Sequence, residues 1–368
     1  MASILHVAQP TSGGVARAVL GMAESQHADG VDVAVACPPG PLADRLTSAG
    51  LSWERWNSER KPGPRITDER RALRAILARR APDLVHLHSS KAGLVGRLTV
   101  RGRLRTVFQP HAWSFLAAEG AERLGALGWE RYATRWTHLT LFCSRQEHAD
   151  GVSQGIRGRG RVVLNGVDLH RFTPADDAGR VRSRRELGLP ADARVAAIVG
   201  RRSYQKGQDL AIAAWPAVRR AVPSAVLLLV GEGYDDAFDT GRGVLSLAAR
   251  DDVRPVFAAT DLVLSPSRWE GLSLALLEGM ASGRAAVATD VAGSREVLID
   301  GVLPAAGAVV PAGDTAALTT AVTERLRDAV RTTGEGRAGR LRVEERHHER
   351  ATIGAVQDAY RLLLEPSQ

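Results

Sequence analysis

Short, continuously apolar runs recur along the chain, and most are followed by a glycine-containing loop or by apolar residues at helical spacing. In the first half these runs are SILHVA, VDVAVACP, DLVHLHSS, RTVFQPHAW and HLTLFCS. After a break they return as RVAAIVG, AVLLLVGEG, DLVLSPS, AAVATD and GAVVP. Strands that are apolar on both faces and alternate with helices are typical of parallel sheets covered on both sides. The pattern therefore predicts an α/β protein with two doubly wound sheets.

The alternation pauses once, where a cluster of turn-forming residues begins at Asn165 and Gly166. We place the domain boundary there, so that residues 1–170 form the first domain and residues 171–349 the second. The end of the chain, from about residue 350 to 368, has apolar residues at helical spacing and is predicted to be a single helix. Because such sheets bind ligands at the carboxyl ends of their strands, two of them predict a ligand cleft between facing domains.

Composition narrows the classes of function. The 368 residues are 44% hydrophobic and 24% charged, as in ordinary globular proteins, and the net charge is +8. Lysine occurs only at positions 61, 91 and 206, and the arginines are scattered instead of gathered on one basic element, so nucleic acid is not the expected partner. No long apolar run or signal peptide is recognisable, and Cys37 and Cys143 show no metal or disulfide spacing. These features predict a cytoplasmic protein with buried, reduced thiols.

Two glutamates flank the start of a predicted helix in the second domain. In SRWEGLSLALLEGMASG, Glu270 ends the loop after the strand DLVLSPS, and Glu278 follows on the helix. Acids at this spacing on one helix would lie roughly 12 Å apart, whereas the carboxyls of a glycosidase are about 5 to 9.5 Å apart. The amides after Gly271 lie at a helix N-terminus, which is a natural anion site. The stretch therefore predicts contacts to a polar head, an anion and a diol, which is the order of groups in a nucleotide-sugar.

Two cations follow another strand of the same domain. In VGRRSYQKG, Arg201 and Lys206 stand just beyond the strand RVAAIVG, where positive charge is suited to a diphosphate leaving group. A solvated basic loop is the alternative. The chain contains no D-x-D motif, so it offers no obvious ligands for a metal-dependent design. Its one G-x-G-x-x-G match, GEGRAG, lies in a helical region and does not indicate a dinucleotide site.

The segment EGLSLALLE resembles the E-x7-E signature of the retaining, GT-B-fold glycosyltransferases of family 4. The likeness continues in order through SGGVARAVL, DLVHLHSSKAGLVGRL, HAWSF, NGVDLHRF, GRRSYQKG, LLLVGEG, ATDLVLSPSRWEG, VATDVAGSREVL and VVPAGD, which span nearly the whole chain. It implies two Rossmann-like domains facing a central cleft, the first for the acceptor and the second for the nucleotide-sugar donor. It also implies that the terminal helix crosses back to the first domain. Gly279 departs from the family's usual alanine.

The resemblance implies roles for residues of the second domain. Arg201 and Lys206 would stabilise the diphosphate, and Glu270 would orient the donor sugar. Glu278 would accept hydrogen bonds from the ribose hydroxyls, with an exposed helix acid as the alternative. The residues expected to lie along the donor between the two glutamates are Gly271, Leu272, Ser273 and Leu274.

In the first domain, the resemblance implies that the loop with Gly13 and Gly14 borders the donor phosphate and the acceptor, although such pairs also form plain tight turns. His111 would contact the donor sugar, with a structural histidine as the alternative. Three residues are assigned to the acceptor side: Ser89, Lys91 and Trp113. A helix cap and a surface lysine are the alternatives.

Together these features predict a metal-independent, retaining glycosyltransferase that needs no cofactor and moves a sugar from a nucleoside diphosphate, with UDP favoured, to an acceptor hydroxyl. Bacterial glycoconjugate or secondary-metabolite synthesis is the expected setting. A nucleotide-sugar epimerase or a non-catalytic nucleotide-sugar binding protein on the same fold is the alternative. The basic helix ITDERRALRAILARR is expected to cover the sheet, and contact with the inner face of a membrane is the less favoured reading.

Overall fold

The computed structural model describes residues 2–239 and 241–365, and the chain divides into two units. The first unit runs to residue 164 and resumes at residue 352, and the second comprises residues 165–351. The boundary predicted at residue 170 lies slightly beyond this division. Asn165 belongs to the second unit, since its side-chain amide donates to the carbonyl of Leu272 over 3.0 Å.

The first unit is a parallel sheet with helices between its strands. Every pair of neighbouring strands is parallel, and the order across the sheet is β3-β2-β1-β4-β5-β6-β7. After β1 the chain adds β2 and β3 on one side of it, and then β4 to β7 on the other side. Doubly wound sheets bind ligands at such a switch point. In chain order the elements are β1 (Ser3–Ala8), α1 (Gly13–Ala28), β2 (Asp32–Cys37), α2 (Pro41–Ser48), β3 (Ser52–Arg55), α3 (Ile66–Arg80), β4 (Leu84–His88), α4 (Ser89–Val100), β5 (Arg105–Gln109), α5 (Gly120–Ala133), β6 (Leu139–Phe142), α6 (Arg145–Ser153) and β7 (Gly160–Val162).

The central strands of this unit are apolar on both faces because each face has its own core. In β1, Leu5 and Val7 pack in one hydrophobic cluster, whereas Ile4 and Ala8 pack in two others. Successive side chains of a strand point to opposite faces, so a continuous apolar run is what a sheet covered on both sides requires. Helix α3 packs Leu73 into the first of these clusters, as expected of a sheet-covering helix.

The second unit repeats this architecture. Its sheet has the order β10-β11-β9-β8-β12-β13-β14, in which only the short β10 is antiparallel to its neighbour among the described residues. Two doubly wound sheets were predicted from the sequence, and this prediction is confirmed; the β10 and β11 pair was not predicted. The elements are α7 (Asp177–Glu186), β8 (Arg194–Val199), α8 (Gln208–Ala221), β9 (Ala225–Val230), β10 (Ala237–Asp239), β11 (Val244–Leu247), α9 (Arg254–Ala259), β12 (Leu262–Ser265), α10 (Leu274–Ala281), β13 (Ala285–Thr289), α11 (Ser294–Leu298), β14 (Gly307–Val310), α12 (Thr315–Arg327) and α13 (Ala329–Arg346).

The last helix, α14 (Glu349–Leu364), returns to the first unit, as predicted. Its apolar stripe of Ile353, Val356, Tyr360 and Leu363 is buried in one cluster with residues of β1, β4, β5 and β6. Both cysteines are buried, and neither forms a disulfide among the described residues. Within the described residues, no helix combines the length and the apolar character needed to cross a membrane.

Candidate functional site

An ion pair joins two loops at the carboxyl ends of strands in the second unit. Lys206 follows β8, Glu270 follows β12, and Lys206 Nζ lies 2.5 Å from Glu270 Oε1. The hydroxyl of Ser267 donates to the same carboxylate oxygen over 2.8 Å. Since β8 and β12 are neighbours in the sheet, their loops leave it at the same edge. Lys206 is therefore held in a polar cluster and does not belong to a freely solvated basic loop.

Gly207 allows these two loops to meet. Its φ is +65°, and a Cβ at this position would lie 1.9 Å from the carbonyl oxygen of Pro266. A residue with a side chain would therefore have to push the loop after β8 away from the end of β12. Both the short distance to Pro266 and the positive φ therefore require glycine directly after Lys206.

Arg201 belongs to the same cluster through Gln205. An Nη of Arg201 donates to Gln205 Oε1 over 2.9 Å, and Gln205 Nε2 donates to the carbonyl of Trp269 over 3.2 Å. Trp269 directly precedes Glu270, so the structure brings the predicted pair of cations and the predicted carboxylate together within one unit.

Helix α10 begins beside this cluster. Ser273 is its N-cap and accepts a hydrogen bond from the Leu276 amide, as an N-cap serine should. A small cavity of about 10 Å³ is lined by Lys206, Ser267 and Ser273 together with apolar residues of β8, β12 and α10. The cationic side chain and the first turn of the helix therefore border one space. The ammonium and the positive end of the helix dipole both favour negative charge beside them, although the cavity itself is too small for a phosphate group.

Glu278 lies in the second turn of α10 and is only 4% exposed. The alternative of an exposed helix acid is therefore wrong for this residue. The next residue, Gly279, lies against β12: a Cβ there would be 2.5 Å from a methyl carbon of Val263. The glycine that departs from the family pattern thus lets α10 approach the sheet closely, which fixes the height of Glu278 above β12.

In the first unit, Gly13 is the first residue of α1, just after the loop that follows β1, and His111 lies in the loop after β5. Gly13 has a φ of +76°, which suits glycine, and α1 starts there. His111 and Ala112 also have positive φ values, +55° and +120°, which side chains rarely tolerate. Two such residues in succession store backbone strain, which persists only where the surroundings hold it in place.

Glu147 holds this strained segment. One carboxylate oxygen accepts the amide proton of Ala112 over 2.8 Å, and the other accepts the amide proton of Cys143, also over 2.8 Å. The indole of Trp113 donates to the Glu147 carbonyl over 2.7 Å. Burial raises the pKa of Glu147 to about 7, and the hydrogen bonds from the two amides oppose that rise.

Sequence reasoning assigned no function to Glu147, although a signal exists. The segment Ser144 to Glu147 has the S-x-x-E pattern of a capping box, and Ser144 does accept the Glu147 amide proton over 3.0 Å. The carboxylate does not return to the Ser144 amide as the motif predicts. It bridges Cys143 and Ala112 instead, and no local pattern could reveal the second contact.

His111 is connected to buried histidines of the sheet. Its Nε2 lies 3.1 Å from His88 Nδ1, and His88 is followed inward by His6 and His86. One ring nitrogen from each of His6, His86 and His88 lies within 4.8 Å of those of the other two, an arrangement that could hold a metal ion. Burial lowers the pKa of all four imidazoles, to about 4 for His6 and His111, which keeps them neutral.

Two residues assigned to the acceptor side are structural. Lys91 is 5% exposed, pairs with buried Glu69 at 2.8 Å and donates to the carbonyl of Lys61. Trp113 is 2% exposed and packs in the core of the first unit, against Phe115 among others. Both assignments are corrected, because each side chain is consumed by interior contacts. Ser89 is half-buried at the first position of α4 with a φ of +70°, and its role stays a prediction.

The sequence matches two described families. Residues 12–171 match "Glycosyltransferase Family 4", and residues 193–328 match "Glycosyl transferases group 1". The first match covers most of the first unit, and the second covers β8 to α12 with the Lys206 and Glu270 cluster.

Among curated relatives, a UDP-Gal:alpha-D-GlcNAc-diphosphoundecaprenol alpha-1,3-galactosyltransferase of Escherichia coli is 28% identical, over 61% of this chain and 62% of the relative. A GDP-mannose-dependent monoacylated alpha-(1-6)-phosphatidylinositol monomannoside mannosyltransferase of Corynebacterium glutamicum is 35% identical, over 49% of this chain and 50% of the relative. The chain thus spans less than two thirds of the length of either relative.

Solved structures resemble nearly the whole chain. Sucrose-phosphate synthase from Thermosynechococcus elongatus superposes with a TM-score of 0.82 and 22% identity, over 99% of both chains. HepE from Anabaena in complex with UDP and glucose superposes with a TM-score of 0.81 and 19% identity, over 98% of this chain and all of HepE. At this level of identity the similarity establishes the fold alone.

Proposed function

Because the chain belongs to glycosyltransferase family 4 and has the GT-B fold, we propose that it transfers a sugar from a nucleoside diphosphate to an acceptor hydroxyl, with retention and without a metal ion. The observation that carries this proposal is the contiguous cluster of Lys206, Glu270 and the first turn of α10 in the second unit. Its cation and helix N-terminus suit the diphosphate of a nucleotide-sugar, and its carboxylate suits the hydroxyls of the sugar.

The diphosphate would lie at Lys206 and the N-terminus of α10. As the bond between the anomeric carbon and the diphosphate oxygen breaks, negative charge grows on that oxygen, and positive groups already in place stabilise it. Arg201, held by Gln205, would add a second cation. This arrangement supplies the charge that a divalent ion supplies in other transferases.

The sugar and the ribose would be held by the two buried glutamates. Glu270 is positioned by Ser267 and Lys206, so its carboxylate can accept a sugar hydroxyl without reorganising. Glu278 is buried on α10, and a carboxylate is suited to accept from two neighbouring ribose hydroxyls. His111 of the first unit would contact the donor sugar.

In the proposed reaction, the acceptor oxygen bonds to the anomeric carbon on the face from which the diphosphate departs. The proton of the acceptor hydroxyl passes to the departing phosphate oxygen. No side chain is assigned as a nucleophile. The chain's residues bind, orient and stabilise charge, which is consistent with a site rich in cations and peptide N–H groups.

A UDP-sugar is the favoured donor. The Escherichia coli relative is named for UDP-Gal, and the Anabaena structure contains UDP and glucose. The Corynebacterium relative is named for GDP-mannose, so GDP-sugars are the first competitors. Both relatives' names specify a lipid-linked acceptor, which makes polyprenyl-diphosphate sugars and phosphatidylinositol glycosides the first acceptors to supply.

A donor screen tests the proposal. Thermal stability and slow donor hydrolysis are measured with UDP-, GDP- and dTDP-sugars, with and without EDTA. We expect one nucleotide class to stabilise the protein and to be hydrolysed slowly, with no effect of EDTA. Loss of activity in EDTA, or a changed sugar-nucleotide released without acceptor, would contradict metal independence or transfer, respectively.

Two pairs of variants test the residues. Glu278→Gln should weaken donor binding roughly 10- to 100-fold, the worth of hydrogen bonds to a charged group, whereas Glu345→Gln on the exposed side of α13 should not. Arg201→Met should lower kcat roughly 100-fold or more, whereas its exposed neighbour Arg202→Met should not. Equal values within each pair would remove the site assignment.

A further inference from the structure

A row of buried histidines crosses the sheet of the first unit beneath His111. His6 of β1 and His86 of β4 are register partners on neighbouring strands, and His88 lies two residues beyond His86 on the same face. All three side chains are fully buried. Imidazoles in the interior of a sheet are costly unless they are hydrogen-bonded, so their partners determine their chemical state.

Three consecutive hydrogen bonds connect His111 to Gln26 of α1. His111 Nε2 lies 3.1 Å from His88 Nδ1, and His88 Nε2 lies 2.9 Å from His6 Nδ1. The last bond joins His6 Nε2 to Gln26 Oε1 over 2.8 Å. The rings of neighbouring histidines in this chain are nearly parallel, with interplanar angles of 23° and 24°. Every ring nitrogen between His111 Nε2 and Gln26 is therefore engaged.

The end at Gln26 gives this chain one direction. An amide oxygen only accepts, so His6 Nε2 must carry the proton that it donates to Gln26. A neutral imidazole has a single N–H, so His6 Nδ1 accepts, and His88 Nε2 must donate to it. The same rule makes His88 Nδ1 an acceptor and His111 Nε2 a donor. A reversed chain would require the Gln26 amide to be turned over, so that its NH₂ group and not Oε1 faces His6 Nε2.

We propose that Gln26, His6 and His88 are positioning residues that hold His111 in its Nε2–H tautomer, so that Nδ1 of His111 stays free to accept a hydroxyl proton from the donor sugar. This inference rests on the proposed function, in which His111 contacts that sugar. Gln26 lies at the far end of this series of hydrogen bonds, so it acts at His111 only through His6 and His88. The strained backbone of His111 fixes the ring's position, and the hydrogen-bond chain fixes its proton.

A metal ion is the competing explanation of the same histidines, since His6, His86 and His88 are close enough to be ligands. His6 Nδ1 and His88 Nε2 are hydrogen-bonded to each other over 2.9 Å. A zinc ion held by these two nitrogens would have to displace the proton between them and lie about 2.0–2.1 Å from each, which would break the chain to His111. The hydrogen bonds explain this pair without an ion, and the metal becomes an outcome of the test.

The direct test is to determine the tautomer of His111 in the unmodified protein. Ring ¹⁵N chemical shifts of histidine-labelled protein at neutral pH distinguish protonated from bare nitrogens, and His→Gln variants assign the signals. We expect N–H at Nε2 and a bare Nδ1 for His6, His88 and His111. An N–H at Nδ1 of His111 would overturn the proposal, as would about one equivalent of zinc in the purified protein or stabilisation by added Zn²⁺.

A variant then tests the action of Gln26 at a distance. Gln26→Met keeps the length of the side chain and removes the acceptor, so His111 should become a mixture of tautomers and kcat should fall about fivefold, the worth of one hydrogen bond. Gln109→Met, at a glutamine that is also buried (3% exposed) at the end of β5 but is not in the hydrogen-bond chain, should leave the His111 tautomer unchanged. An unchanged tautomer in Gln26→Met would count against the proposal.

Failure of the proposed function would look different. Suppose that His111 of the wild-type protein carries its proton on Nε2, but that the protein neither hydrolyses a donor nor transfers a sugar. The tautomer held by Gln26, His6 and His88 is then confirmed, and the transferase assignment is wrong. If transfer occurs while His111 carries its proton on Nδ1, the transferase assignment stands and the positioning role falls.

Discussion

Lys206 Nζ and Glu270 Oε1 are 2.5 Å apart, and the side chains that carry them are 21% and 9% exposed. The cation proposed for the diphosphate is thus neutralised by the carboxylate proposed for the sugar. A charged ligand that binds Lys206 must therefore share it with Glu270 or replace Glu270. Because the pair is only partly exposed, it is screened less by water than a surface pair, and its charges are strongly coupled.

This coupling predicts a non-additive pair of variants. Lys206→Met and Glu270→Gln should each lower the free energy of unfolding by about 1–3 kcal/mol, because each leaves the other group without its partner. The double variant should lose less than the sum, which urea unfolding of all four proteins measures. The exposed pair Arg71 and Asp68 is the control, and its substitutions should be additive. Additive losses at Lys206 and Glu270 would show that the ion pair is not formed in solution.

Glu147 should make stability depend on pH. Its carboxyl pKa is raised from 4.5 to about 7 by burial, so the folded state binds its proton more tightly than the unfolded state. The stability that this proton contributes is present below pH 4.5 and is lost as the pH rises through about 7. The change amounts to about 3 kcal/mol between these limits. Urea unfolding from pH 4.5 to 8 measures it.

Glu147→Gln isolates this contribution. The amide does not titrate, and its NH₂ group would face either the Ala112 or the Cys143 amide, so the variant should be less stable at every pH. The wild type should therefore exceed the variant in unfolding free energy by less and less as the pH rises from 4.5 to 7. The pKa values of His6 and His111 are lowered to about 4, so these two histidines make stability rise with pH instead of fall. Because both proteins contain them, their contribution cancels in the difference between the unfolding free energies of wild type and variant. Glu122→Gln, at an exposed position of α5, should show no trend, and a flat difference for Glu147 would contradict the prediction.

The apolar runs were sufficient to predict both sheets because the central strands are buried on two faces. The run DLVLSPS became β12, and EGLSLALLEGMA became a loop and α10, with Glu270 and Glu278 placed as expected. The strands β3, β7, β10 and β11 were missed. All four are short, and β3, β7 and β10 are edge strands. β11, which lies next to β10, alternates half-buried and buried positions instead of forming a continuous apolar run.

The polar interior could not be predicted in the same way. The histidines at positions 86 and 88 alternate within an apolar strand, which is a signal for a shared face, but the partners Gln26 and Tyr360 come from distant helices. Lys91 was assigned to the acceptor because it follows a strand end. Its burial depends on Glu69 of α3, a contact between neighbouring helices that no spacing in the sequence reveals.

The pair formed by Lys91 and Glu69 predicts a loss of stability without a specific loss of acceptor binding. Both side chains are less than 5% exposed, so Lys91→Met leaves a buried carboxylate without its cation and should cost about 3–5 kcal/mol of unfolding free energy. Lys61→Met, at an exposed lysine, should cost little. Chemical unfolding measures both. A stable Lys91→Met protein with a raised KM for the acceptor would restore the acceptor assignment.

Gly279 and Gly334 lie inside helices and should respond oppositely to alanine. Alanine is favoured over glycine in helices by about 1 kcal/mol, so Gly334→Ala, with open space around its Cβ, should raise the free energy of unfolding. At Gly279 the added Cβ would lie 2.5 Å from Val263 Cγ2, and overpacking should instead cost about 1–3 kcal/mol. The resulting shift of α10 away from β12 would also move Glu278, so donor affinity should fall with stability in Gly279→Ala alone. Equal stabilisation of both variants would show that α10 does not need glycine to approach the sheet.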